Sequence, residues 1–206
     1  MKKINFILLL LLTSLSSRAQ LTEIVPLQNR DYPSRGDVYY KDVNNLLNPF
    51  VGTWVYTNGT TSFKIVLRKI TNFNNGFNFM DLIVGEYEYI ENGVTLINTL
   101  PNLFTTIPYK IPQSIDGDLL LPKYGFPPCN DCASNEYRLK MIMGDPLKDV
   151  GFDVIARRVW HNNQAALSIY FYCDGLKYSG TTMDDTTIES VGQTMPDGTF
   201  IFIKQP

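Results

Sequence analysis

The chain has 206 residues, enough for one domain with a full hydrophobic core and short of what two domains usually need. Its 18 Lys and Arg stand against 20 Asp and Glu, a net charge of −2 with no basic run, which excludes the electrostatic footprint of a nucleic-acid-binding protein. Aromatic residues make up 13% of the chain, a share that favours sheet, where flat rings pack well on a pleated surface.

Lys2 and Lys3 precede an unbroken apolar run over residues 4–12, and Ser17-Arg18-Ala19 follows with small residues around a cleavage point. This is the pattern of a secretory leader over residues 1–19, cut after Ala19, and it predicts export to the periplasm or the medium. The apolar run is too short to span a bilayer, no cysteine near the cut offers a lipid anchor, and no transmembrane segment is expected later in the chain. Residues 20–45 are polar and turn-rich and read as an extended arm. Residues 46–206 read as a single β-barrel domain, entered through one short helix over 41–50 that Pro49 stops.

From there the hydrophobic period is two. Phe63, Ile65 and Leu67 alternate with Lys64 and Arg68, and this strand follows 53–57 across Asn58-Gly59, a strong hairpin signal. A second hairpin at Glu91-Asn92-Gly93 joins 82–90 to 94–98, with Tyr87 and Tyr89 on one face and Glu86 and Glu88 on the other. Tyr137, Leu139, Met141 and Met143 mark the next strand. Segments 152–160 and 165–173 flank the polar turn His161-Asn162-Asn163-Gln164, and 199–204 closes the chain. About eight to ten strands with almost no helix predict an all-β, antiparallel up-and-down barrel.

The segment Asn48-Pro49-Phe50-Val51-Gly52-Thr53-Trp54 resembles the G-x-W opening of lipocalins and other calycins. That resemblance implies a calycin-like barrel in which Gly52 and Trp54 are structural, the tryptophan plugging the closed end. The chain lacks the lipocalins' Thr-Asp-Tyr motif, and Arg157 and Arg158 are the arginines available to pack over the tryptophan as the family's does. A longer resemblance, through Tyr56-Thr57-Asn58-Gly59, Gly85-Glu86-Tyr87 and Tyr89-Ile90-Glu91-Asn92-Gly93 to Lys204, is to an uncharacterised family of small exported bacterial proteins, a domain of unknown function. It carries over no catalytic residues.

Cys129 and Cys132 form a C-x-x-C after Pro127-Pro128. A redox site needs a thiolate stabilised at a helix N-terminus in a thioredoxin-like context, which is missing here, so a structural disulfide between the two is the expectation. Cys173 falls in register with Leu167, Ile169 and Phe171 and is expected to be a buried, inert thiol. Cys129, Cys132, Cys173 and His161 are the right ligand types for zinc, but their spacing matches no metal module, and no metal or cofactor is expected. His161, the single histidine, reads as a solvated turn residue, and no nucleophile elbow accompanies it. Carboxylate pairs are the remaining route to acid–base chemistry; Glu86 with Glu88 reads as a water-facing stripe, and Asp184-Asp185 lies in a polar stretch. Asp116-Gly117-Asp118 and the 72–76 segment read as turns rather than calcium loops. Tyr170 and Tyr172 fit either a pocket or an outer surface.

The functional expectation is an exported barrel holding a small apolar or amphipathic ligand. The alternative is a solid barrel acting in the cell envelope through its surface, and a carboxylate hydrolase trails both. No catalytic residue is assigned, and no ligand-binding residue or protein partner is legible.

Overall fold

The computed structural model describes residues 23–172, 176–179, 187–190 and 192–206. Residues 1–19, where the leader is expected, Cys173 and Asp184-Asp185 lie outside the described residues. The strands are β1 (Glu23–Pro26), β2 (Val38–Lys41), β3 (Gly52–Asn58), β4 (Thr61–Asn74), β5 (Phe79–Glu91), β6 (Val94–Asn98), β7 (Ile115–Leu121), β8 (Arg138–Asp145), β9 (Val150–His161), β10 (Gln164–Tyr172), β11 (Leu176–Ser179), β12 (Thr187–Ser190) and β13 (Gly198–Lys204).

Eight of these close a barrel in the order β3-β4-β5-β7-β8-β9-β10-β13, each antiparallel to its neighbours, with β13 returning to β3. The order around the ring follows the order along the chain, so the barrel is the expected up-and-down meander. The side of β5 that faces away from β4 is shared among three partners: β2, parallel to it at Met80; β7 at Val84; and β6 at Ile90. β1 lies parallel to β2. The arm thus contributes two strands that its polar composition does not announce.

Period-two patterning puts alternate residues inside. Trp54, Phe63, Ile65, Leu67, Tyr87, Tyr89, Leu139, Met141, Phe152, Val154, Leu167, Ile169, Phe171 and Phe202 are all buried in one cluster. At its centre Phe63 meets the rings of Tyr87, Tyr89, Phe171 and Phe202 at centroid distances of 5.6, 5.4, 5.3 and 5.3 Å. Phe171 also touches Phe152 and Phe200, and Tyr56 touches Phe200 and Phe202. Edge-to-face, tilted and, for Phe63 with Phe171, stacked rings at these separations are the favoured arrangements of a packed aromatic interior.

Three expectations are corrected. No helix forms over 41–50. Asn45 takes φ +55°, which a right-handed helix cannot accommodate, and the Asp42 carboxylate accepts the Leu46 and Leu47 amides at 2.7 and 3.0 Å. Only a three-residue 3-10 turn, Asn48–Phe50, precedes β3. Asp116-Gly117-Asp118 is not a turn but part of β7, with a register shift before Leu119. Gly117 is required there by close approach, because a Cβ would lie 2.5 Å from the Lys140 carbonyl oxygen across the pair. Glu86 does point to the outer face, yet it is fully buried, because the start of β7 folds over it and the Ser114 amide donates to Oε1 at 3.2 Å.

Candidate functional site

At the end of the barrel where β3 begins and β13 finishes, its floor, Trp54 is buried in the core cluster. Its ring is 1% exposed, its Nε1 donates to the Phe50 carbonyl at 2.8 Å, and the Lys204 ammonium stands 5.4 Å from the ring centroid. Lys204 therefore occupies the position for which Arg157 and Arg158 were the available arginines. Pairing of β13 with β3 sets Lys204 directly opposite Trp54, so register selects it. Gly52 has φ +138°, and a Cβ there would meet the Lys204 stem at 3.1 Å; glycine fits on both counts.

Beneath this floor lies a cleft of about 770 Å³. One wall is the 44–50 connection that replaces the expected helix. The second is the 131–137 segment leading into β8. The third is the last turn of β9, which runs past its pairing with β8 at Leu139 and Ala156 and is held by β10 alone from Arg157 onward.

The second wall is pinned from several directions. Cys129 and Cys132 stand at disulfide distance, with Cα atoms 5.4 Å apart. The buried Arg138 guanidinium donates to the carbonyls of Pro127, Gly125 and Pro122 at 2.6, 2.8 and 3.2 Å, and burial pushes its pKa below the ordinary arginine value. A proline-rich loop is short of backbone donors, and one planar fork serves the Pro127 and Gly125 carbonyls and shares that of Pro122 with the Gly125 amide. Arg157 reaches Glu136 at 2.7 Å and Asp131 at 2.6 Å, and these hydrogen bonds hold both carboxyls below the usual carboxylate range.

The two adjacent arginines therefore differ. Arg157 is neutralised, whereas Arg158 is exposed on the opposite strand face and, among the described residues, makes no hydrogen bond or ion pair. Trp160, two residues on and on the same face, is 72% exposed. Tyr137 and the amides of Asn44, Asn45 and Asn135 complete the polar lining. Sequence reasoning placed Trp160 at the end of a strand and did not single it out. The signal was its spacing from Arg158, just beyond the apolar run at Val154 and Ala156 on the same face.

The other residues singled out from sequence do not converge. His161 is exposed at the tip of the β9–β10 hairpin, next to Asn162 and Asn163, which both take positive φ. Glu88 accepts from the Asn98 amide at 3.1 Å. Asp118 pairs with Arg30, and burial raises its pKa and that of Asp116. Tyr170 and Tyr172 face outward, their rings 6.3 Å apart and within 18° of parallel. Among the described residues no cluster of His, Cys, Asp and Glu is arranged to hold a metal, and no helix is long and apolar enough to cross a membrane.

Fold and site together define a closed eight-stranded antiparallel barrel with a ring-filled interior and a polar cleft under its floor. The chain matches the family of unknown function DUF6705 over residues 1–205 and belongs to it. No curated protein and no solved structure matches the chain.

Proposed function

We propose that the protein is exported and acts as a non-enzymatic interaction module of the cell envelope or its surroundings, recognising its partner on the outside of a solid barrel. The observation that carries this reading is the ring cluster centred on Phe63, which occupies the volume where a calycin-like barrel would hold a ligand. Export is supported by the 1–19 leader pattern and fits a C-x-x-C bridge, which persists in an oxidising compartment.

A small apolar ligand has a second address on this surface. A cleft of about 450 Å³ between the end of β4 and the 105–113 connection is lined by Ile70, Phe73, Ile107 and Ile111. Titration with a fluorescent fatty acid separates the readings. A solid barrel gives no saturable uptake, and uptake abolished by Ile107→Asp assigns the ligand to the outer cleft. Saturable uptake that survives Ile107→Asp means the interior opens, and refutes the solid barrel.

A further inference from the structure

We infer that the cleft beneath the floor is a binding site for an anionic oligosaccharide, with Trp160 as its stacking platform and Arg158 as its anion anchor. This rests on the reading of outside recognition and names the ligand class for it.

Three features carry the inference. First, a tryptophan that is 72% exposed leaves a large apolar face in water, whereas Phe152, Val154 and Ala156, earlier on the same face of β9, are buried. The face of an indole is electron-rich and meets the polarised C–H bonds of a pyranose ring, an amphipathic partner that an apolar pocket would not select. Second, among the described residues Arg158 is an uncommitted fork beside a pair of carboxylates that Arg157 already satisfies. In a chain of net charge −2 an unpaired guanidinium in a cleft selects for anions, and its planar donors match a carboxylate in two hydrogen bonds. Third, the remaining polar lining is Tyr137 and the planar amides Asn44, Asn45 and Asn135, groups able to donate and accept, as the vicinal hydroxyls of a sugar require.

The walls are rigid before anything binds. The disulfide, the Arg138 fork and the Arg157 ion pairs fix the 131–137 side, and the Asp42 carboxylate fixes the 44–50 side. Preorganisation of this kind lowers the entropy lost on binding and suits weakly held, flexible ligands such as glycan chains. The free edge of β9 offers a peptide little. It spans only the few residues from Arg157 to His161, too few ladder bonds for strand addition to supply the affinity.

The test is calorimetric titration of the mature protein with a short oligogalacturonate, a neutral cello-oligosaccharide and an oligoglutamate. The oligogalacturonate is expected to bind one to one, more weakly as salt is raised. Trp160→Ala should weaken it roughly tenfold or more. Arg158→Gln should reduce it by about tenfold, to the level of the neutral sugar, with Arg158→Lys in between. Both side chains are exposed, so thermal unfolding of all three variants should match the parent, a control for folding. No binding of either sugar overturns the inference, as does oligoglutamate binding at equal strength that Trp160→Ala leaves untouched. Neither result bears on the solid barrel, which the fatty-acid titration tests separately.

Discussion

Phe63→Ala probes the ring-filled interior at its centre. The side chain is 3% exposed and contacts four other rings within 5.6 Å, so truncation removes the hub rather than one spoke. Burial lost plus the cavity left behind places the cost at about 3–5 kcal/mol for a buried Phe in a well-packed site. The upper half of that range is expected, because the partners come from β5, β10 and β13 and closure of the barrel limits how far they can collapse inward. For a domain of this size each kcal/mol shifts Tm by roughly 2–4 °C, so the midpoint should fall by roughly 8–20 °C. Urea unfolding followed by circular dichroism measures the cost, and benzene uptake by the variant, absent in the parent, measures the new cavity. A cost below about 1 kcal/mol with no uptake would mean that the rings do not share one packed interior, and would refute the reasoning.

Trp54→Ala should also cost about 3–5 kcal/mol, since it removes a buried ring and leaves the Phe50 carbonyl without its donor; an unchanged midpoint would sink the floor role. Paired Cys129→Ser and Cys132→Ser substitutions should destabilise by roughly 2 kcal/mol, the loop-closure value for so short a loop, with reductant titration of the parent giving the same loss. Arg157→Gln should return the Asp131 and Glu136 carboxyls to ordinary titration, read by carboxyl NMR. Because their folded pKa values are depressed, the stability they add is present above the unfolded carboxylate values and lost as pH falls through the folded ones, and the variant should lack that acid loss. Asp116 has the opposite sign: burial raises its pKa, so the folded state binds a proton that the unfolded state does not, and stability rises as pH falls toward the ordinary value. Asp116→Asn should therefore raise Tm at neutral pH by an amount that shrinks as the solution is acidified; a constant difference would contradict this.

Local signals explain which parts of the fold were legible. Asn58-Gly59 and Asn92-Gly93 have the backbone freedom of tight turns, and both hairpins form where they predict, with Gly59 and Gly93 at positive φ. Parity at Tyr87 and Tyr89 correctly gave the inner face of β5. The misses came from long-range geometry. Asp116-Gly117-Asp118 has the composition of a turn, and only pairing with β5 on one side and β8 on the other makes it a strand. The 41–50 helix lost to a carboxylate, Asp42, that serves the loop amides and is itself held by Lys69 at 2.6 Å. Lys204 reaches Trp54 through barrel closure, which joins the two ends of the domain. The cleft was illegible for the same reason, because Asn44, Asn135 and Trp160 meet only after the sheet has closed.

Native mass spectrometry of the protein, recovered from its own host without detergent exchange, tests the solid barrel most directly. The ring-filled interior predicts a chain free of any apolar adduct that survives Ile107→Asp. One apolar molecule per chain, retained in the native spectrum, released on denaturation and still present in Ile107→Asp, would contradict it and return the ligand to the inside of the barrel.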